Sequence, residues 1–484
     1  MRTRIVWIVL LWGLAAHCFS QQTGEEDFSD MLAAAEQAEA QAEALDSGLA
    51  FEGTLEVSAA FPLSTDPWVY ASAGSSPQAE LRLGLEYARE QVRFRSEWFS
   101  SFRPKAGTTP ADCFDGRPGV QELRYSGRGW SLDSGLLEIN WGSADGVNPT
   151  DVLNPRDYGA LPRPEKLPVL AFQIKYFPVT RLALEAVYIP FRGADLLPFD
   201  TLELFPPEIT PSTVDPVFSP LSALPALRLS TYLSSLDISL MYAYGFDPYP
   251  TAEFSSYSSG PPPTADCELR NSRMHIAGLD VRGAAGALGY WIEAAYSHPQ
   301  DFDPGSYDLR SPLFDMVVGL DLQFGPQRLW YTNIQGRFRY LPYFDEEYPS
   351  DYPGGLPDLG KIADSQYMLE YYRRTYLYTL SEYRERILTG LLFRLSRDNV
   401  VNLSLDGALF LPFAYGDTGD DLRFSAFLQP EICFPLPGGI EIACGAVLNG
   451  AWRLSGGAFH FNSLDPIGAR KEENHLYLKT SLIW

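Results

Sequence analysis

Apolar and polar side chains alternate along many segments of this chain, each about ten residues long. In AELRLGLEYA, residues 79–88, leucine and tyrosine occupy alternate positions, and arginine, glycine and glutamate lie between them. NLSLDGALFL, residues 402–411, has the same period of two. Because successive side chains of a β-strand point to opposite faces, this pattern predicts strands with one apolar and one polar face.

About eighteen such segments can be counted, and the connections between them alternate in length. The segments are centred near residues 55, 83, 97, 123, 136, 172, 185, 228, 241, 278, 291, 318, 334, 391, 405, 428, 446 and 479. Short turns are predicted at 89–91, 127–129, 178–179, 234–235, 283–286, 325–327, 397–399 and 437–439. Long connections are predicted at 62–76, 104–119, 142–166, 191–222, 247–272, 298–311, 341–384, 412–420 and 454–470.

Short turns at one end and long loops at the other are typical of transmembrane β-barrels. The sequence therefore predicts an all-β protein, a transmembrane antiparallel β-barrel of about 18 strands over residues 49–484, with 16 as the alternative. Its short turns would be periplasmic and its long loops extracellular. A soluble propeller would show a four-strand period, and a sandwich would not sort its loops by length. Segment 364–385 is left open between a strand extension and a short helix.

The first residues have the features of an export signal. Arg2 and Arg4 precede an apolar run at 5–16, and small residues follow it. The run is too short to span a membrane, so residues 1–20 are predicted to be a secretory signal peptide. Residues 21–48, rich in Ala, Glu and Gln, are predicted to form a helical or disordered periplasmic segment.

The last strand carries a predicted assembly signal. In HLYLKTSLIW, residues 475–484, Leu478 and Leu482 share a face with Trp484. A final aromatic residue after alternating apolar residues resembles the C-terminal signal that the barrel assembly machinery recognises. Export and this signal predict localisation in the outer membrane of a Gram-negative bacterium, with membrane lipid and the assembly machinery as partners.

The strand faces opposite the apolar ones carry charges of both signs. Lipid excludes charge, so these positions are predicted to line the inside of the barrel. The proposed lumen charges are Arg82, Arg93, Arg95, Glu97, Lys175, Arg337, Arg339 and Arg394. Strand side chains alone cannot fill a barrel this wide, which favours a water-filled channel over an interior closed by salt bridges.

The third long connection, residues 142–166, is rich in Asp, Asn, Pro and Gly. Asx turns and prolines predict a compact, rigid loop that can fold into the bore and narrow it. The predicted constriction residues are Asp145, Asn148, Asp151, Asn154, Arg156 and Asp157. Their oxygen atoms would suit calcium, but the EF-hand spacing is absent, and neither a metal site nor a cofactor is predicted.

The same loop resembles a known signature. WGSADGVNPTDVLNPRDYGALPRPEKLPV, which begins at Trp141, is similar to a segment of a Gram-negative outer-membrane β-barrel family of unknown function. The matching pattern is WG-x2-D-x2-NP-x-D-x2-NPRD, and the family is similar in architecture to the alginate-export barrel. The resemblance implies a barrel. Long inserts at 191–222 and 341–384 depart from the family and leave any shared pore geometry open.

Composition and motifs argue against several function classes. A formal net charge of −24 argues against nucleic acid as a partner. No G-x-S-x-G, H-E-x-x-H or phosphate-binding glycine loop occurs, so we expect no enzyme activity. Cys433 and Cys444 flank the turn at 437–439, and Cys113 and Cys267 lie in predicted extracellular loops, so disulfides between them are left open.

These observations predict an outer-membrane, porin-like channel for passive or substrate-selective passage of small solutes, with loop 142–166 as its constriction. One alternative is a surface-exposed structural or adhesin barrel with a plugged bore. Another is an exporter of a hydrophobic or polymeric compound. The sequence does not identify the solute, and it leaves homo-oligomerisation open.

Overall fold

A computed structural model describes most of the chain from residue 48 onward. The described residues are 48–63, 78–103, 113–144, 147–157, 165–191, 193, 195–196, 212–213, 222–248, 251–260, 264–303, 311–343, 360–361, 363–380, 387–398, 400–413, 422–455, 458–461 and 474–484. The predicted signal peptide, and all but the last residue of the predicted periplasmic segment, lie outside them.

Eighteen strands form a closed antiparallel sheet, and a short additional strand, Ala458–Phe461, pairs with the end of the seventeenth strand. In chain order they are β1 (Leu49–Pro62), β2 (Gln78–Arg89), β3 (Val92–Phe102), β4 (Phe114–Gly127), β5 (Trp130–Leu137), β6 (Val169–Val179), β7 (Leu182–Ile189), β8 (Leu224–Tyr232), β9 (Leu236–Phe246), β10 (Arg273–Ala285), β11 (Leu288–Pro299), β12 (Leu313–Phe324), β13 (Trp330–Tyr340), β14 (Ile387–Arg397), β15 (Asn402–Phe413), β16 (Leu422–Leu436), β17 (Ile440–Ser455) and β18 (His475–Ile483). Every predicted centre lies inside one of these strands, so the barrel prediction is confirmed with eighteen strands rather than sixteen.

Closure depends on the pairing of the first strand with the last. β1 pairs antiparallel with β18, beginning with Thr54 opposite Ile483. Gly53 and Trp484 extend the ladder, each N–H donating to the carbonyl oxygen of the other at 3.0 Å. Backbone groups inside a bilayer have no water to bond, so a sheet can span hydrocarbon when it has no free edge.

The outer face of the barrel is apolar. On β6, Leu170, Phe172 and Ile174 are 38–48% exposed, whereas Ala171 and Gln173 between them are buried. The same alternation recurs on other strands around the ring. An apolar surface of this extent is stable in lipid and not in water, so this is the face that contacts the hydrocarbon.

The connections separate by length as predicted, but several boundaries are corrected. The long connection predicted at 104–119 ends earlier, because β4 begins at Phe114. Short turns join β2 to β3, β4 to β5 and each later pair up to β16 and β17, at one end of the barrel. The predicted turn at 178–179 is wrong, because β6 continues to Val179 and the turn is formed by Thr180 and Arg181. The turn after β10 begins at Gly286 rather than at Gly283, which lies within the strand.

One long connection contains a helix. Helix α1 (Ser365–Leu380) occupies most of segment 364–385, which decides between the two alternatives in favour of a helix. It packs on a hairpin of strands Thr251–Ser258 and Thr264–Arg270, where Met368 is buried in one cluster with Phe254. Within the described residues, no helix has both the length and the apolar character needed to cross a membrane.

We expect the two faces of one strand to respond differently to a charge. Leu391, in the middle of β14, is 41% exposed on the outer face, and its neighbour Leu392 points inward. Leu391→Arg should destabilise the folded barrel in lipid vesicles by about 2–4 kcal/mol, the cost of a charge near the bilayer midplane. Leu392→Arg, the matched control, should cost less than half as much. Equal losses in urea unfolding would contradict the assignment of the faces.

Candidate functional site

Residues 138–144 and 147–157 form a segment that we call the inner segment. Its apolar side chains Ile139, Trp141 and Leu153 are at most 2% exposed. They pack in one cluster with side chains of β6 to β11, namely Val169, Ala171, Val187, Ile189, Leu224, Ala226, Met241, Ala243, Met274, Ile276 and Ala295. Burial of this much apolar surface holds the segment against the strands.

The cluster lies on the inner wall of the barrel. Val187 and Ile189 of β7 belong to it, whereas Leu184 and Tyr188 of the same strand are 44% exposed on the outer face. Successive residues of a strand point to opposite faces. The inner segment therefore lies against the inner wall of the barrel.

Glu293 of β11 is the main polar anchor of the inner segment. Its side chain is fully buried, and its carboxylate accepts hydrogen bonds from the backbone N–H of Ala144 at 3.0 Å and of Thr150 at 3.2 Å. The Thr150 hydroxyl donates to the same carboxylate at 2.5 Å. Without the carboxylate these buried donors would lose their acceptor, so the position of the segment depends on Glu293.

Two further wall carboxylates bind the inner segment. Trp141 donates its indole N–H to Glu185 of β7. Arg228 of β8 lies 3.8 Å from Glu185, and its guanidinium is 5.7 Å from the centre of the Trp141 ring. On β10, Asp280 accepts a hydrogen bond from the Ser143 hydroxyl at 2.9 Å. Charged groups on three strands thus fix the first half of the segment.

Gly142 is required where the inner segment approaches the wall most closely. Its φ is +88°, in the left-handed region that favours glycine. A Cβ at this position would overlap the carboxylate of Glu293 and would lie 2.5 Å from the side-chain oxygens of Asn148 and Thr150. The absence of a side chain at residue 142 therefore lets Thr150 reach Glu293.

Two predicted constriction residues stabilise the segment itself. Asn154 is 2% exposed; its side-chain oxygen accepts from the N–H of Ile139 at 2.8 Å, and its amide N–H groups donate to two backbone carbonyl oxygens at 2.9 and 3.0 Å. Asn148 donates to the carbonyl oxygen of Trp141 at 2.9 Å. Asn154 joins the two limbs of the loop, and its amide does not face the bore.

Asp151, Arg156 and Lys166 form an ionic cluster beside a cavity. One carboxylate oxygen of Asp151 lies 2.8 Å from Arg156 and 2.7 Å from Lys166. Its other oxygen, Oδ1, is buried and has no hydrogen-bond partner among the described residues. The cavity measures about 290 Å³ and is lined by Asn140, Trp141, Gly142, Ala144, Asn148, Asp151, Arg156 and Lys166. Amide, cationic and carboxylate groups therefore converge on a space that can hold a small polar molecule.

The far end of the loop is bridged to β2 and β4. A short strand ending at Asp157 pairs with one beginning at Glu165. Arg117 of β4 lies 2.7 Å from Glu165 and 3.7 Å from Asp157, and Arg82 of β2 lies 3.4 Å from Glu165. Asp145, the remaining predicted constriction residue, lies outside the described residues. In the described part of the chain, no group of three or more His, Cys, Asp or Glu is arranged to hold a metal ion.

The predicted lumen charges lie on the inner wall, and most of them are paired. Arg93 lies 2.9 Å from Glu86, and both side chains are 39% exposed. The other pairs are Arg95 with Glu97, Arg337 and Arg339 with Asp315, and Arg394 with Asp406, while Lys175 stands opposite Glu185 on the neighbouring strand. Close pairing of opposite charges leaves the wall with alternating charge signs rather than a basic filter.

The cysteines are not joined by disulfides in the described structure. The turn between β16 and β17 has three residues, so Cys433 stands opposite Ala443, and Cys444 stands opposite Ile432. Cys433 consequently points inward and Cys444 outward, so the two thiols do not face each other. Cys267 is buried under helix α1, and this burial raises the pKa of its thiol to about 12.

The predicted assembly residues lie at the closure of the barrel. Leu478 and Leu482 are 48% and 39% exposed on the outer face of β18. Trp484, 52% exposed, follows the strand, and a Cβ on Gly53 would overlap its indole ring. The recognition of these residues by the assembly machinery stays a prediction.

Comparison with known proteins gives structural likeness only. No protein-family model matches the chain, and no curated protein matches its sequence, so membership of the barrel family with the signature segment stays a prediction. OccAB4 of Acinetobacter baumannii is 8% identical and aligns over 91% of this chain and 99% of its own, with a TM-score of 0.49. OccK2 of Pseudomonas aeruginosa, solved in complex with glucuronate, is 10% identical over 90% and 97%, with a TM-score of 0.49. Wzi of Escherichia coli, a carbohydrate-binding barrel involved in capsule assembly, is 9% identical over 96% and 89%, with a TM-score of 0.46.

The architecture itself indicates the membrane. An even number of antiparallel strands, short turns at one end, long connections at the other and an apolar outer face are the features of outer-membrane barrels. The chain therefore has the fold of an outer-membrane β-barrel, in agreement with the predicted localisation.

We expect Gly142→Ala to release the inner segment without opening the barrel. The added methyl would displace the Glu293 carboxylate and would also be strained at positive φ. Trypsin should then cut after Arg156 and Lys166 in the folded protein, as seen by mass spectrometry. Gly286→Ala is the matched control, because Gly286 also has positive φ (63°) but no atom near its Cβ position. Resistance of both variants to trypsin would contradict this account of Gly142.

The Cys267 thiol should be unreactive while the protein is folded. With its pKa at about 12, the thiolate fraction at pH 8 is roughly a thousandfold below that of an ordinary thiol. Maleimide should therefore modify Cys267 in urea and leave it unmodified in the folded barrel. Peptide mapping measures this, with Cys267→Ser as the reference. Prompt modification of the folded protein would place Cys267 outside the core under helix α1.

Proposed function

We propose that this protein is an outer-membrane channel for small polar solutes, narrowed from one side by the inner segment. The observation that carries the proposal is the unequal covering of the inner wall. The inner segment packs on β6 to β11, and its far end is bridged to β2 and β4. The ion pairs and buried packing contacts described for it fall on these strands, and β14 to β18 form the opposite wall of the ring. A passage between the segment and that opposite wall is therefore the simplest path through the barrel.

Charges on the opposite wall support a wet passage. Arg394 and Asp406 form a pair 27% and 19% exposed, and Lys479 and Glu56 are 30% and 34% exposed. Side chains that remain accessible on an inward face are in contact with water, since the interior of an eighteen-stranded barrel is wider than strand side chains can fill. Ion pairs of both signs would admit neutral and zwitterionic solutes along with small ions.

The cavity beside Asp151 supports selectivity at the segment. Arg156 and Lys166 present cations next to a carboxylate whose Oδ1 has no described hydrogen-bond partner. A volume of about 290 Å³ is at the small end of ligand-binding pockets. A small polar molecule fits this chemistry, because the lining offers cationic donors, amide groups and a carboxylate.

Conductance in planar bilayers tests the proposal. The wild-type chain should give stable ohmic steps, and Gly142→Ala should raise the unit conductance by roughly twofold, because the released segment no longer covers its part of the wall. Gly286→Ala should behave like the wild type. Asp151→Asn should change the ratio of cation to anion permeability while leaving the step size within about a quarter of the wild-type value.

Two results would refute the channel. Absence of steps in both the wild type and Gly142→Ala would indicate a plugged structural or adhesin barrel. Steps in Gly142→Ala alone would mean that the inner segment closes the native bore completely. Either result would leave the barrel fold intact, since heat-modifiable migration on a gel reports folding independently of conductance.

A further inference from the structure

Arginines of the inner wall and arginines of the short-turn end differ in their partners. On the wall, Arg93, Arg124, Arg337 and Arg394 each lie within 3.0 Å of an acidic side chain. Five arginines at the short-turn end form no ion pair with any described residue: Arg89, Arg128, Arg181, Arg328 and Arg397. In a chain with a net charge of −24, arginines without an ion-pair partner require an explanation.

The five residues surround one rim of the barrel. Arg128, Arg181 and Arg328 lie in short turns and are exposed. Arg89 and Arg397 end their strands at positions that alternation places on the outer face, in phase with Tyr87 and Leu391. Acidic residues are few here, since the described short turns contain only Glu90 and Asp398. The rim is therefore cationic and partly directed towards the lipid.

Aromatic rings accompany these arginines on the lipid side. Phe324 and Trp330 stack with ring centroids 6.2 Å apart, and the Arg397 guanidinium lies 5.6 Å from the Trp330 centroid. The Nε of Arg397 is buried without a hydrogen-bond partner among the described residues. Arg328 lies in the turn between those rings with a φ of +53°, a conformation that costs energy for a side-chain-bearing residue. Aromatic rings of this kind lie at the headgroup level of a bilayer.

We propose that this rim binds the phosphate groups of anionic phospholipids in the periplasmic leaflet, with Arg328 and Arg397 as the strongest site. A guanidinium can donate two parallel hydrogen bonds to a phosphate, and neither Arg328 nor Arg397 has an ion-pair partner among the described residues that would compete for its N–H groups. The rings of Phe324 and Trp330 would pack on the glycerol and upper acyl chain. Binding at this level would fix the depth of the barrel in the membrane.

A second occupant is possible on charge alone. Residues 21–47 of this chain contain eight acidic residues and no basic residue, and they precede β1, which begins at the same end. The outward positions of Arg89 and Arg397 and the stacked rings favour lipid, because a peptide in the periplasm would approach the turns and not the lipid-facing side chains. The experiment below separates the two occupants.

Native mass spectrometry of the full chain in detergent tests the proposal. The protein is titrated with phosphatidylglycerol or with phosphatidylcholine of the same acyl chains. Phosphatidylglycerol should bind at least fivefold more tightly, the preference expected from about one arginine near an anionic headgroup. Arg328→Gln/Arg397→Gln should abolish this preference and leave phosphatidylcholine binding unchanged. Arg103→Gln, at the long-loop end, is the matched control and should bind both lipids like the wild type.

Further variants keep the test decisive. If Arg328→Gln/Arg397→Gln does not fold, Arg128→Gln/Arg181→Gln removes two turn arginines and should lower phosphatidylglycerol affinity at least threefold. Equal binding of both lipids by the wild type and by a variant lacking residues 21–47 would overturn the proposal. A preference that appears only in the shortened variant would also overturn it, because the acidic segment would then occupy the arginines in the native chain.

Discussion

Everything in this molecule depends on the hydrogen bonds that join β1 to β18. A bilayer offers no water to an exposed strand edge, so the ring must close before any other contact can stabilise the protein. Closure makes one face of every strand an outer face and the other an inner face. It also leaves an interior wider than strand side chains can fill, so a segment on the inner side must be held there by contacts of its own.

The inner segment supplies that attachment in two physical ways. Its apolar side chains bury against an inner wall that is itself apolar near the long-loop ends of six strands. Its backbone N–H groups then bond to wall carboxylates, chiefly Glu293. Apolar burial alone would allow the segment to slide, and buried carboxylates alone would be costly without donors. Apolar burial and these hydrogen bonds together fix one position of the segment, because the buried carboxylates have their hydrogen-bond donors only when the segment occupies it.

The strands could be predicted from the sequence because apolar and polar residues alternate with a period of two along them. Each predicted centre lies in a strand. The boundaries were less certain: Pro178 suggested a turn, yet it lies one residue before the end of β6. The tyrosine-rich segment at 364–385 fits either a strand or a helix, since tyrosine favours strands but tolerates helices. The helix is stabilised by contacts with residues distant in sequence, and no local sequence pattern reveals those contacts.

The position of the inner segment was harder to predict than its existence. In the sequence, Glu293 looks like any other charged residue on the inner face of a strand. Its role depends on contacts with residues more than a hundred positions away. The sequence nevertheless contained a signal of this packing. Residues Ala186–Ile189 are apolar at consecutive positions, and so are the ends of neighbouring strands. A strand with a polar inner face would instead alternate between apolar and polar residues. Apolar residues on an inward face predict that something packs on them.

The residues of the WG-x2-D-x2-NP-x-D-x2-NPRD pattern differ in what they contact. Trp141, Gly142, Asn148 and Asn154 hold the segment in place, and the first three of them also line the cavity together with the charged Asp151 and Arg156. Lys166, which completes the ionic cluster, lies beyond the pattern. A segment of this composition therefore specifies an anchored loop first, through glycine, indole and amide groups whose geometry is fixed by the wall. Glu293 and the apolar cluster hold the segment against the wall, and the ionic cluster of Asp151, Arg156 and Lys166 lies beside the cavity.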